Sequence, residues 1–214
     1  MPAEFSLKSN VVDLFEGRVF AAEVRVAGGK IAAIDPLPDG EAVEGYLTPG
    51  YVDAHVHVES SMLAPTEFAR AAVVHGTVGS VSDPHEIGNV LGVAGVEYML
   101  ENASHTPFKF CFGAPSCVPA TEFETAGAEI TVAEVERLLD DPRIGYLSEM
   151  MNFPGVLGGD EACLAKIAAA KRRSKPIDGH APGLRGEDAK RYVAAGMTTD
   201  HECFTIEEAR DKLA

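Results

Sequence analysis

Histidines and carboxylates recur in this sequence where they could hold a metal ion or move a proton. His55 and His57 stand two apart in Tyr51-Val-Asp-Ala-His-Val-His57, a run that reads as a β-strand, so both imidazoles share one face. Two imidazoles on one face suit a divalent cation. With seven histidines in the chain such a pair also arises by chance, but an apolar strand rarely carries two inward histidines without a partner for each. His180 ends a second strand in Pro-Ile-Asp-Gly-His180, and His201 ends a third in Met-Thr-Thr-Asp-His201. A cap or a satisfied ring accounts for either one alone, whereas packing does not account for all four at strand ends. Glu149, closing Tyr-Leu-Ser-Glu149, is either a carboxylate able to bridge two metal ions or a solvated loop residue. Asp83-Pro84-His85-Glu86 follows another strand and could bind substrate, shuttle protons, hold a further ion or simply cap a helix. Glu59-Ser60-Ser61, just after the histidine pair, either touches substrate, orients a ligand or closes a turn. Cys203 is either near such a centre or a small buried thiol. His75 at a helix end and His105 in a loop need no chemical role.

The elements that must position these residues alternate strand and helix. Strands are expected at Tyr51–His57, Thr77–Ser82, Phe108–Gly113, Ile144–Glu149, Pro176–His180 and Met197–His201. Between them, helices are expected over Thr66–Val74 with Pro65 in its first turn, Asn89–Asn102, Thr131–Leu139, Glu161–Lys171 and Glu187–Ala195. Thr131-x-x-Glu134 and Thr205-x-x-Glu208 read as capping boxes, the second opening a helix after the sixth strand. Six βα units imply a parallel sheet with right-handed crossovers. An open doubly wound sheet fits this pattern. A (β/α)8 barrel of the TIM type fits better, because polar residues gather at the C-terminal ends of the strands, the face on which such barrels carry their active sites. A whole barrel takes about 250 residues, so the expectation is an incomplete barrel of about six units over 49–214. Residues 1–48 are expected to form a small antiparallel β module, part of a β-sandwich, with turns at Glu16-Gly17 and Gly28-Gly29.

The net charge of −15 argues against binding nucleic acid or an anionic membrane surface. No apolar stretch is long enough to span a bilayer, and the first ten residues lack a basic segment followed by an apolar one, so no signal peptide is expected. Four cysteines without a tight framework read as reduced thiols of a cytoplasmic protein.

The segment Pro-Gly-Tyr-Val-Asp-Ala-His-Val-His-Val-Glu-Ser-Ser-Met62 resembles the first-strand signature of bacterial adenine deaminases, within the amidohydrolase superfamily. The resemblance continues through Ser-Asp-Pro-His-Glu-Ile-Gly-Asn-Val-Leu-Gly92, Cys-Val-Pro-Ala-Thr121, Glu-Met-Met-Asn-Phe-Pro-Gly-Val156, Asp-Gly-His-Ala-Pro-Gly-Leu184 and Thr-Asp-His-Glu202. It implies that His55 and His57 bind one metal ion, that His180 and His201 bind another, and that Glu149 bridges them. Manganese is the implied metal, with iron or zinc as further options; the absence of thiolates from the set suits all three. The implied reaction is hydrolytic deamination of adenine to hypoxanthine and ammonia by a metal-activated hydroxide, a step of purine salvage or adenine catabolism. For the proton transfer the resemblance points to a further aspartate of the family, with Glu86 or His85 as the candidates present here. Asp83, His85 and Glu86 are the expected catalytic group, and Glu59 and Ser60 the expected substrate contacts, from their place beside the histidine pair. The family's further aspartate, at the end of the eighth strand, falls beyond residue 214, so the sequence is expected to be an N-terminal portion of an enzyme that forms a homo-oligomer, a dimer. Ser148 departs from the glycine expected there. Two other readings stand beside this one: a metal-dependent amidohydrolase cleaving a cyclic or acyl amide, and a non-catalytic fragment lacking the last barrel strands.

Overall fold

The computed structural model describes residues 4–121 and 123–213, and the chain divides into two compact units, 1–50 and 51–214. The first unit is one four-stranded sheet of β1 (Phe5–Asp13), β2 (Arg18–Ala27), β3 (Lys30–Pro36) and β4 (Tyr46–Leu47), in the order β3-β2-β1-β4. Gly28 and Gly29, at φ 61° and 74°, form the two-residue turn between the paired residues Ala27 and Lys30. Successive positive φ values are what a tight hairpin of this twist requires, and glycine supplies them without strain. The module is not purely antiparallel. β4 lies parallel to β1, tied there by Asn10, whose Nδ2 donates to the carbonyls of Gly45 (2.9 Å) and Val43 (3.2 Å).

The second unit runs β5 (Tyr51–Val56), a 3-10 turn (Val58–Ser61), α1 (Pro65–Val73), β6 (Thr77–Ser82), α2 (His85–Leu91), α3 (Val93–Ala103), β7 (Lys109–Pro115), α4 (Val132–Asp140), β8 (Ile144–Met150), α5 (Phe153–Gly158), α6 (Glu161–Arg172), β9 (Ile177–Gly179), α7 (Gly186–Ala195), β10 (Thr199–Asp200) and α8 (Ile206–Leu213). Its six strands are all parallel, and neighbours follow chain order from β5 to β10. A doubly wound sheet reverses its strand order at a switch point. This sheet has no reversal, and it forms a half-barrel.

The helices cover the outer face. In α4, Val135, Leu138 and Leu139 are buried at helical spacing beside Ile144 and Leu147 of β8, each such side chain contributing about 1.5–3 kcal/mol by leaving water. Thr131 and Glu134 make the full reciprocal cap: Thr131 N–H donates to Glu134 Oε2 (2.7 Å) and Glu134 N–H to Thr131 Oγ1 (3.4 Å). At Thr205 only half of that motif forms. Glu208 N–H donates to Thr205 Oγ1, but the Glu208 carboxylate accepts instead from the N–H groups of Gly183 (2.8 Å) and Phe204 (3.1 Å).

Three other expectations change. The single helix expected over 89–102 is two, α2 and α3, broken at Gly92, whose φ of 61° and ψ of −145° no helix accommodates. α5 was not foreseen; Asn152 opens it by accepting from Gly155 N–H (2.9 Å). The last two strands are shorter than expected at both ends; at their N-terminal ends Thr198 Oγ1 accepts from Ile177 N–H (2.9 Å), a side chain taking the place of a ladder bond. His180 and His201 sit just past the C-terminal ends of β9 and β10. Ser148 is fully buried and donates to the Ala114 carbonyl (3.0 Å). Gly113 makes room for it, since a Cβ there would lie 2.5 Å from that of Ser148. Among the described residues no helix is long and apolar enough to cross a membrane.

Candidate metal centre

Parallel pairing with neighbours in chain order brings the C-terminal ends of β5, β6, β8, β9 and β10 to one rim. Glu149, only 2% exposed, stands at its centre. Its Oε1 lies 2.7 Å from His55 Nε2 and 2.9 Å from His57 Nε2. Its Oε2 lies 3.0 Å from His180 Nδ1 and 3.8 Å from His201 Nε2. Within each pair the imidazole nitrogens face one another, at 3.1 Å for His55 and His57 and 3.3 Å for His180 and His201. Two groups of donors thus share one carboxylate.

The donor set fits a pair of divalent cations. Glu149 Oε1 is buried and close to two imidazoles, yet it makes no well-directed hydrogen bond. Metal–nitrogen distances of about 2.0–2.1 Å place ligand atoms of one ion about 3–3.4 Å apart, the spacing seen here between paired nitrogens. Two of the remaining ring nitrogens have partners: His57 Nδ1 faces the Asp83 carbonyl at 3.0 Å and His201 Nδ1 faces Asp178 Oδ2 at 3.0 Å. Such partners hold the proton on the far nitrogen and leave the near one free to ligate.

The charges reinforce one another in the cation-free protein. Burial alone would raise the Glu149 pKa, but the facing imidazoles of His180, His55 and His57 hold it well below the carboxylate range. Burial lowers that of His57, yet the Glu149 carboxylate and the Asp83 carbonyl outweigh it and push the ring from 6.5 up to about 9. Protonated His57 must lose its proton to ligate, so a cation competes with that proton. Manganese affinity is accordingly expected to rise about tenfold per pH unit from neutrality toward pH 9, then level off. Calorimetric titration at several pH values checks this, and a flat affinity across that range contradicts it.

Beside the centre, His85 Nδ1 lies 3.0 Å from Asp83 Oδ2, and the His85 ring packs edge-on to His57 at 4.7 Å. Burial lowers the His85 pKa, but the Asp83 carboxylate raises it further, so the net direction is upward. Both His85 and Glu86 lie in the first turn of α2. Ser60 Oγ donates to the Glu86 carboxylate at 2.7 Å. Glu59 accepts from Ile87 N–H at 3.1 Å, bracing the start of α2, while its Oε2 is buried without a partner. Ser61 only closes its turn, donating to the Val58 carbonyl. Cys203 is exposed, not a buried thiol. Sequence reasoning passed over Asp178. The signal was present in Asp178-Gly-His180, since residues two apart on a strand share a face.

The sequence pattern of the family described as "Amidohydrolase family" matches residues 46–214. The chain is 60% identical to the adenine deaminase of Sulfurovum sp. over 207 residues, covering 97% of this chain and 38% of that protein. It is also 60% identical to the adenine deaminase of Salinibacter ruber, covering all of this chain and 39% of that protein. The chain therefore spans well under half the length of these relatives. Among solved structures, N-acetyl-D-glucosamine-6-phosphate deacetylase from Mycobacterium smegmatis superposes with a TM-score of 0.59 at 15% identity, covering 92% of this chain and 59% of that one. At that identity the likeness speaks for the fold alone. Because the family match runs unbroken through the half-barrel and every strand-end histidine and carboxylate gathered on its rim, the chain belongs to the amidohydrolase family.

Proposed function

We propose that this chain provides the metal centre and the proton-transfer group of an adenine deaminase. The reaction replaces the C6 amino group of adenine: water adds at C6, the C6–N bond breaks, and hypoxanthine and ammonia leave. The observation that carries the reading is the pair of imidazole pairs sharing buried Glu149, in a chain 60% identical to adenine deaminases along its whole length. His55 and His57 would hold one ion, His180 and His201 the other, with Glu149 between them. Manganese is the proposed metal, with iron or zinc as alternatives. Two bound cations would supply a nucleophile at neutral pH by lowering the pKa of water to about 7.

The chain's own residues do the rest. Asp83 fixes the His85 ring and favours its protonated form, which suits His85 to protonate N1 of the purine or the departing amine. Glu86, anchored by Ser60, is the carboxylate placed to take up the proton that water gives up. Glu59 and Ser60 are the proposed substrate contacts; Ser60 holds Glu86, and Glu59 braces the start of α2 with its second carboxylate oxygen buried beside it. The substrate is then a small, uncharged base, which the protein's net charge of −15 does not repel. A cytoplasmic dimer is the proposed setting.

Ammonia release from adenine, with manganese supplied, tests this. Turnover that His55→Ala abolishes is the expected result. A protein that binds manganese but leaves adenine intact while hydrolysing a cyclic or acyl amide would overturn the substrate assignment.

A further inference from the structure

Asp178 on β9 is nine-tenths buried, and both of its oxygens are engaged. Oδ1 accepts from Thr199 Oγ1 at 2.6 Å, across the strand pair. Oδ2 lies 3.0 Å from His201 Nδ1 and 3.9 Å from His55 Nδ1. Those two rings are stacked, with centroids 3.7 Å apart and planes 14° from parallel. Each turns Nε2 toward Glu149 and Nδ1 toward Asp178. One carboxylate thus stands in front of the two rings and another behind them.

We propose that Asp178 is the positioning residue of this centre, holding His201 in the tautomer and orientation that present Nε2 and steadying His55 through the stack. This rests on the metal-centre reading above. A neutral imidazole carries one N–H and one lone pair. An ionised carboxylate only accepts, so at 3.0 Å it keeps the proton on Nδ1 and the lone pair on Nε2. Thr199 keeps the carboxylate from rotating away. Asp178 does not serve as a ligand in this arrangement: it meets the nitrogens that face away from Glu149, and its other oxygen already has a donor. The stacking matters because His55 and His201 belong to different imidazole pairs. A tilt of one ring is resisted by the other, so one carboxylate orders both halves of the centre, the His201 half directly and the His55 half through ring contact.

The test is manganese binding to the metal-free protein, followed by calorimetry for the wild type, Asp178→Ala, Asp178→Asn and Thr199→Val. Removing such an outer partner costs about 10–100-fold in metal affinity. Asp178→Ala is expected to lose that much for one of the two ions and much less for the other. Asp178→Asn, whose amide oxygen still accepts from His201, is expected to recover a large part of the loss. Thr199→Val, which leaves Asp178 in place but frees its Oδ1, is expected to weaken the same ion by a smaller factor. Equal weakening of both ions, or an Asn variant no better than Ala, would show a general structural role and overturn the proposal, as would wild-type affinity in all three variants. A wild type that binds no manganese overturns the proposal together with the metal centre. Because the readout is binding and not turnover, a protein that binds manganese and ignores adenine overturns the substrate reading alone.

Discussion

Replacing Glu149 with glutamine is expected to abolish manganese binding at both positions and to lower ammonia release by about 10⁴-fold or more, the scale seen when one member of a group acting as a unit is removed. Glutamine keeps the volume of a side chain that is 2% exposed, so the half-barrel should survive and the circular dichroism of the metal-free protein should not change. What changes is the charge between four imidazoles. A neutral amide offers one oxygen where the carboxylate offers two, and its NH₂ group faces one of the imidazole pairs as a donor. That arrangement repels a cation where the native one attracts it. His55→Ala, by contrast, removes one nitrogen from one pair and leaves the Glu149, His180 and His201 group whole. Metal analysis of the two variants separates these outcomes. A Glu149→Gln protein that retains two manganese ions would remove Glu149 from the bridging role.

Lys212→Met is expected to destabilise the chain by about 3 kcal/mol, the low end of what breaking a buried ion pair costs, which for a chain of this size lowers the melting temperature by about 6–12 °C. Lys212, Asp200 and Glu208 have side chains only 5%, 7% and 2% exposed. The Lys212 ammonium donates to Asp200 Oδ1 (3.1 Å), Glu208 Oε1 (3.2 Å) and the carbonyls of Ala181 (2.7 Å) and Glu202 (2.5 Å). Methionine preserves the apolar stem but strands two buried carboxylates. Glu208 loses least, because Gly183 and Phe204 N–H groups remain on it. Combining Lys212→Met with Glu208→Gln should therefore cost less than the sum of the two single changes. Additive losses in thermal melts would show that the pair is not coupled. The node grips the residues next to His180 and His201, so the variant should also hold manganese less tightly.

Much of this architecture was readable along the chain. Strand and helix positions follow from local pattern, as at α1 with its Pro65 start and at α4 with its Thr131–Glu134 box. Errors arose where a side chain replaced a backbone partner or where a partner lay far away. At the start of β9 the Thr198 hydroxyl takes the Ile177 N–H, a contact across 21 residues. Glu208 has the spacing of a capping residue, but Gly183, 25 residues earlier, takes its carboxylate. Gly92 breaks a helix whose apolar spacing runs straight through it.

The sequence by itself determined the residue types at the strand ends and the parallel βα order, because strand periodicity and strand-end position are local properties of the chain; the family was legible separately, in the resemblance of its motif strings. It also determined that His55 and His57 share a face, which spacing alone dictates. Only the tertiary structure decided that Glu149 is a buried hub and not a solvated loop carboxylate, and that its two oxygens divide four imidazoles into two pairs. It alone decided that Glu59 braces α2, that Ser60 holds Glu86, and that Asp178 stands behind His55 and His201. Each of these depends on distances between segments tens of residues apart, set by how parallel strands align when the helices pack over them, and no local pattern encodes that alignment.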